Sequence, residues 1–440
     1  MKISNNPIKK VFENEFWANM IKNVATIFTG TSIASALNMI ITIVILWILD
    51  AEQYGIFVVA MTYMHVIDTV VNFQSWQGVI RYGAFAISEK NENKLLSVIK
   101  AGFLLDMVTS IAGFLIGILV IRVAAIVFGW SDLIQVLCFI FCFEIAFHIE
   151  GTVTGVFRLL DKFKYTALCT ALAALVKLLV VLLLFFLDIH NTYVFTIVYV
   201  LTDIFKHLIY VILGIRLLKQ KYKLKMIVKA KLSDLDKEFW HYTIWSNLST
   251  TTDVPIKYFD IFFLSLISNE IVAAYNLFKK IVAVLNLLIS PIAQAILPQL
   301  SQLVAEGKQK DAYKKIMKLR NVIFGILLPV MVLCGLCAPL LLKIVGQSAY
   351  IENINILYAL LFYNLCAFSY VGLHPLFSAY GFSKQTTFIT LVSNIIYVIW
   401  CILLVNKFQV MGIIAGSFLQ FILVIVMKQY VIHRKILSGE

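Results

Sequence analysis

The sequence predicts an all-α membrane protein with twelve membrane-crossing helices. Three observations carry this. Of 440 residues, 61% are hydrophobic and only 14% charged, against about half and a quarter in soluble domains. Mean hydropathy is +0.90. The apolar runs exceed 20 residues, the length a helix needs to cross a bilayer. Barrel strands would instead alternate polar and apolar over about ten residues. Disorder is excluded by the high apolar content, and seven prolines with 20 glycines leave little room for loops.

In chain order the expected spans are 23–49, 54–79, 99–122, 132–157, 165–187, 191–215, 240–266, 269–298, 321–344, 351–379, 384–405 and 409–431. Odd-numbered connections are short and poor in basic residues: LDAEQ, FGWSD, LDIHN, LISNE, VGQSAY and NKFQ. Even-numbered connections are longer and basic. They and the termini hold 29 of the 37 Lys and Arg, while the opposite side has only Arg122, Lys343 and Lys407. Basic residues stay in the cytoplasm, so both termini are expected inside. Residues 1–22 lack the apolar core of a cleaved signal. The +13 net charge thus marks orientation and not nucleic-acid binding, because no soluble segment could form a basic face. The seven cysteines lie in apolar runs, where free cysteine behaves as a small hydrophobe.

The longest basic connection divides the chain: an N-terminal bundle over 1–215, a linker over 216–238 and a C-terminal bundle over 239–440. The bundles read as parallel repeats. Glu52 and Glu270 stand 218 apart after the first span of each, and Gly129 and Gly346 stand 217 apart, closing the third span of each. Parallel repeats about an axis along the membrane normal are a transporter architecture.

The functional residues should be those the bilayer penalises, because a charge at a helix centre costs about 2.5–3.5 kcal/mol. Glu144, Lys177 and Asp203 each lie 12 residues into their spans, about 18 Å deep and near the midplane. Asp68, Asp106, Asp253, Lys257, Asp260, Lys279 and Lys280 also interrupt apolar sequence. Some of these could neutralise one another locally: Asp203 with Lys206, and Lys257 with Asp253 or Asp260, share helix faces. Lys177 has no acid on its own helix, and Lys279 and Lys280 point about 100° apart. The expected anion contacts are Lys177, Lys206, Lys257, Lys279 and Lys280, with Arg81 at the membrane edge. Carboxylates Asp68, Glu144, Asp203, Asp253 and Asp260 are the expected sites of H+ or Na+ coupling. Asp68 has His65 one turn earlier, and Pro255 should kink the helix of Asp253. No cofactor and no metal is expected: His148 and Glu150 are two apart and diverge on a helix, with no third ligand visible.

The run NVATIFTGTSIASALNMIITIVILWILDAEQYGIF (23–57) and the segment AAYNLFKKIVAVLNLLISPIAQAILPQLSQL (273–303), with its Tyr-Asn pair, Pro291 and Pro298, resemble the multidrug/oligosaccharidyl-lipid/polysaccharide exporter superfamily. Within it the chain looks most like the Wzx-type flippases. The resemblance implies a V-shaped pair of helix bundles, as in MATE transporters, in the bacterial inner membrane. It also implies transfer of undecaprenyl-pyrophosphate-linked oligosaccharide units to the outer leaflet for O-antigen or capsule. Lysines suit such a substrate, since an ammonium is a compact charge for phosphate. The partners implied are the lipid-linked glycan, membrane lipids, a polysaccharide polymerase and a chain-length regulator, and no nucleic acid. A cation-coupled multidrug exporter is the alternative, but span 1 has no charge after Lys22, where those relatives generally carry an acid. An embedded polymerase or ligase would need a large outer loop, which the short odd connections do not supply.

The topology makes its own test. Single cysteines at 188 and 225, labelled in intact cells with a membrane-impermeant maleimide, should react and stay silent respectively. The reverse pattern would overturn the orientation.

Overall fold

The computed structural model describes residues 15–73, 75–235 and 237–437. The basic residues expected at the N-terminus, Lys2, Lys9 and Lys10, lie outside the described residues. So does Asp236 in the linker. The chain forms helices in this order: α1 Glu15–Ile48, α2 Ala51–Val71, α3 Ser75–Ser88, α4 Glu92–Phe128, α5 Asp132–Phe147, α6 Gly151–Leu159, α7 Phe163–Phe186, α8 Thr192–Lys221, α9 Leu224–Lys229, α10 Lys237–Thr251, α11 Val254–Ser265, α12 Asn269–Ala305, α13 Gln309–Val345, α14 Ser348–Glu352, α15 Ile354–Ser369, α16 Leu373–Ala379 and α17 Ser383–Ile432.

Nine helical segments among the described residues are long and apolar enough to cross a membrane. They correspond to ten of the twelve expected spans, because the last, Lys384–Ile436, contains two. Gln409 interrupts it at φ 48°, ψ −132°, where the twelfth span was expected to begin. The expected seventh span is two helices, α10 and α11, parted at Thr252 and Asp253, with Pro255 in the first turn of α11. That is the kink the proline implied, since its ring cannot continue the preceding helix. The eighth falls within α12. Spans two, four and ten are also broken, between α2 and α3, α5 and α6, and α15 and α16.

Capping explains the ends. Asp50 and Gln53 form a reciprocal capping box at α2. Ser131, Asn191 and Ser268 accept from backbone N–H groups of α5, α8 and α12. Each satisfies an orphan donor of a first turn. Gly129 and Gly346 close α4 and α13 in the left-handed region, φ 65° and 78°, where glycine avoids a Cβ penalty. These two helices are each 37 residues long. Their equal length and matching caps express the repeat as structure.

Three apolar clusters locate the core. The largest joins both repeats at the end bearing the acidic, odd-numbered loops; it includes Leu46, Tyr54 and Phe57 with Ala273, Phe278 and Leu342. Two separate clusters occupy the basic end. One holds Val79, Val156 and Leu218 with Phe239 of α10, and the other Leu300, Ile316 and Phe377. The repeats therefore share one core at the end of the odd-numbered loops; at the basic end one cluster joins the N-terminal repeat to α10, with Tyr82 against Phe239, and the other is built from the C-terminal repeat. Hydrogen bonds that cross at the closed end include Trp130 Nε1 to Ser265 Oγ at 3.0 Å, Trp47 Nε1 to the Ile344 carbonyl at 3.0 Å, Gln347 Nε2 to the Leu46 and Leu49 carbonyls at 2.5 and 3.1 Å, and Tyr54 Oη to Asn276 Oδ1 at 2.9 Å. Gly55 lies flush on the backbone of Asn269, leaving no space for a Cβ.

Opening this end would have to break those contacts together. Trp47→Cys with Ile344→Cys, in a chain otherwise free of cysteine, should be bridged by a short cleavable bis-maleimide. Transport should stop on bridging and return on cleavage. Undiminished transport in the bridged protein would show that this end need not part.

Candidate functional site

A cavity of about 360 Å³ lies within the N-terminal repeat, just inside the closed end, and Lys280 of the C-terminal repeat reaches its wall. Asn38 and Thr42 of α1, His65 of α2, Glu144 of α5, Lys177 of α7, Asp203 and Lys206 of α8, and Lys280 of α12 all line it. Four of these six helices bring together charges that stand up to 136 positions apart, from Glu144 to Lys280. Three lysines face two carboxylates there, so with neutral histidine the wall carries a small positive excess.

The lysines differ in state. Lys177 donates to Asp203 Oδ1 at 2.6 Å, and its ammonium sits 3.8 Å from the Tyr199 ring centroid. Both side chains of the pair are nearly buried, at 12% and 13% exposure. The expectation that Asp203 serves Lys206 on its own helix is corrected. The neighbouring α7 brings Lys177 closer, and Asp203 takes the cross-helix partner. Lys280 donates to Thr42 Oγ1 at 2.9 Å and to Tyr54 Oη at 3.2 Å. Among the described residues no carboxylate pairs with Lys280, nor with Lys206.

Lys279 turns the other way. It donates to Asp260 Oδ2 at 2.6 Å, and Tyr275 Oη donates to the same atom at 2.9 Å. Lys257 and Asp253 pair at 3.3 Å on a half-exposed helix face, as their spacing implied, and Lys257 does not take Asp260. Neither pair lines the cavity. Arg81 is exposed, its guanidinium 4.6 Å from the Tyr242 ring centroid of α10.

Asp68 is not paired with His65. Its carboxylate meets His148 Nδ1 at 2.9 Å and accepts from Asn72 at 3.1 Å. The expectation that His148 and Glu150 face apart is also corrected. Both sit in the break between α5 and α6, so helical spacing does not apply, and His148 Nε2 is 3.6 Å from Glu150 Oε1. His207 of α8 supplies the third group, its Nδ1 3.3 Å from Glu150 Oε2. His148, Glu150 and His207 together form the one arrangement among the described residues with three ligand-type side chains. Asp106 acts structurally, its Oδ2 accepting from the Thr152 N–H at 2.7 Å and so capping α6.

Sequence reasoning missed Thr42, Tyr54, Tyr199 and His207. The hydroxyl and aromatic residues carry no penalty in an apolar run and so give no signal. His207 was findable, since it lies one turn beyond Asp203 on the same face.

Residues 20–304 match the family described as polysaccharide biosynthesis protein. The fold resembles a multidrug resistance MATE family transporter of the MOP superfamily in its inward-facing conformation, with TM-score 0.71, 13% identity and 91% and 94% of the two chains covered. It also resembles the lipid II flippase MurJ in an inward closed conformation, with TM-score 0.67, 15% identity and 92% and 87% covered. In sequence, 160 residues are 24% identical to inner membrane protein YghQ of Escherichia coli (strain K12). That match spans 36% of this chain and 45% of the relative's length. The expected superfamily and its two-bundle helical fold therefore hold.

The buried pair can be weighed directly. Removing one partner of a buried ion pair costs about 3–5 kcal/mol, because a bare charge remains. Lys177→Ala should therefore lower thermal stability in detergent sharply, and Asp203→Asn added to it should restore much of the loss. The same cycle on Lys257 and Asp253, where both side chains are exposed, should show coupling below about 1 kcal/mol. Equal coupling in the two cycles would contradict the geometry.

Proposed function

Because the chain belongs to the polysaccharide biosynthesis protein family, we propose that it is a flippase for lipid-linked oligosaccharide repeat units. The substrate would be an undecaprenyl-pyrophosphate-linked glycan of the kind used for O-antigen or capsule, moved from the cytoplasmic to the outer leaflet. The observation that carries this reading is Lys280: a cation in the central cavity held by two hydroxyls and by no carboxylate. An ammonium in that state is free to accept an anion, and a pyrophosphate supplies one. Lys206 adds a second such charge on the same wall. Lys177 joins when the substrate competes with Asp203, while Lys257, Lys279 and Arg81 stand outside the cavity.

Movement follows from the clusters. The basic end faces the cytoplasm; there α10 packs on α3, with Phe239 against Tyr82, while the rest of the C-terminal repeat keeps its own core, so α11 to α17 can part from the N-terminal repeat at the α10–α11 break and admit the headgroup. The lipid tail remains in the bilayer. Residues 1–215 and 239–440 act as the two bodies, joined by the basic 216–238 linker, with α10 kept on the first. Rocking about the midplane cavity then exchanges the closed end. Coupling to H+ or Na+ would act through Asp68 and Glu144, the carboxylates no lysine neutralises, in preference to Asp203, Asp253 and Asp260. A polymerase and a chain-length regulator would take up the product. The alternative, a cation-coupled multidrug exporter, draws on the MATE-like fold, but a wall with more lysines than carboxylates suits a cationic drug poorly.

Deletion in the native host should leave lipid-linked oligosaccharide on the cytoplasmic leaflet and deplete surface glycan, with drug tolerance unchanged. Complementation with Lys280→Ala should restore little of it. One charge-assisted contact is worth about 1.5–3 kcal/mol, or ~10–100-fold in binding. Normal surface glycan with heightened sensitivity to cationic drugs would identify an exporter instead.

A further inference from the structure

We propose that His148, Glu150 and His207 bind a divalent transition-metal ion of the zinc type, at the break in the fourth span. None of the three ligands lines the lysine cavity, which the site adjoins through Glu144, and the inference stands without the transport reading.

Geometry comes first. Zinc takes imidazole nitrogen and carboxylate oxygen at about 2.0–2.1 Å, so tetrahedral ligand atoms lie about 3.3–3.4 Å apart. Glu150 Oε2 is 3.3 Å from His207 Nδ1, and Glu150 Oε1 is 3.6 Å from His148 Nε2. All three ligand atoms fall within 4.8 Å of one another. Rotations of all three side chains would bring these atoms to tetrahedral spacing around one ion. Three protein ligands leave a fourth position for water.

The outer partners point the same way. A metal-bound histidine almost always hydrogen-bonds through its other ring nitrogen to a carboxylate, carbonyl or water, which fixes tautomer and orientation. His148 presents Nε2 to Glu150 and holds Asp68 on Nδ1 at 2.9 Å. His207 presents Nδ1 to Glu150 and has Glu144 Oε1 3.7 Å from Nε2. His148 is therefore backed by a carboxylate at hydrogen-bond distance, while Glu144 stands just beyond that distance from His207. His207 is buried at 3% exposure. Its Nδ1 has Glu150 Oε2 at 3.3 Å, at an angle outside hydrogen-bond range, and Glu144 Oε2 has no hydrogen-bond partner among the described residues. A metal at Nδ1 would replace that poorly aligned contact with a bond. His148 and Glu150 remain partly exposed, which gives an ion a way in. The ion would tie together α2, the α5–α6 break and α8, spans with no covalent link at this depth.

The competing reading is a bare hydrogen-bonded chain from Asp68 to Glu144 with no metal. The full chain, purified in detergent with its affinity tag removed, is stripped with EDTA and dialysed against zinc. Mass spectrometry of the bound metal should find one zinc per chain, and cobalt(II) should give the visible bands of a tetrahedral nitrogen–oxygen site. His207→Ala and Glu150→Gln should each abolish these. Asp68→Asn leaves every ligand in place and should weaken zinc binding ~10–100-fold. No zinc above that of an unrelated membrane protein overturns the proposal in favour of the bare chain. Zinc retained by His207→Ala overturns it too. If that variant does not fold, unchanged affinity in Asp68→Asn has the same force.

Discussion

A polar group inside a bilayer must find its partner within the protein, and this requirement arranges the whole molecule. The broken spans show it most clearly. The breaks in the second, fourth and seventh spans free backbone groups that a continuous helix would satisfy, and a side chain from elsewhere meets one at each. The Val70 carbonyl receives Asn247 at 3.1 Å. The His148 carbonyl receives Ser110 at 3.0 Å and Asn72 at 3.1 Å. The Thr252 carbonyl receives Asn394 at 2.6 Å. These bonds tie helices that are distant in sequence, so the breaks act as junctions. They also stand where the charged clusters gather, because only a broken helix aims backbone and side chains into one place.

The same requirement explains why the apolar core is divided. One cluster spans both repeats at the closed end; at the basic end one cluster joins the N-terminal repeat to α10 and another serves the C-terminal repeat. Packed apolar surfaces gain nothing from lipid that they do not already have, since lipid tails are as apolar as leucine. The closed end is therefore held by close fit, as at Gly55 against Asn269, and by a few hydrogen bonds from Trp47, Trp130 and Gln347. Such an interface can part without exposing apolar area to water over its lipid-facing rim. Bistability between two shapes then needs only modest polar exchanges at each end.

Span positions and the repeat were legible in the sequence because bilayer thickness sets length and basic residues set sides. The offset between Gly129 and Gly346 became two left-handed caps on helices of equal length. What the sequence hid was partner choice. Helical spacing offers Asp203 its neighbour Lys206, yet the pair that forms is Lys177 with Asp203, because two packed spans bring side chains closer than one turn does. Spacing also failed at His148 and Glu150, since the rule presumes a continuous helix and the chain breaks there. Residues that solvate charge without bearing any, such as Thr42 and Tyr54, leave no mark in a hydropathy pattern.

The adjacent lysines of α12 show how one helix can serve both repeats. Lys279 faces Asp260 and Tyr275 of its own half, while Lys280 crosses to Thr42 and Tyr54 of the other. The 100° step between neighbours on a helix makes this division unavoidable once both are placed at the interface. The consequence is an asymmetry of charge. Lys279 is neutralised and fixes α12 to its bundle. Lys280 is left with hydroxyl partners that an anion can outcompete. When the halves part, Lys279 must travel with the C-terminal helices, and the bonds of Lys280 to Thr42 and Tyr54 must break or be replaced. An anion bound at Lys280 would supply that replacement, so one of the contacts that join the repeats is also the contact a substrate would take over.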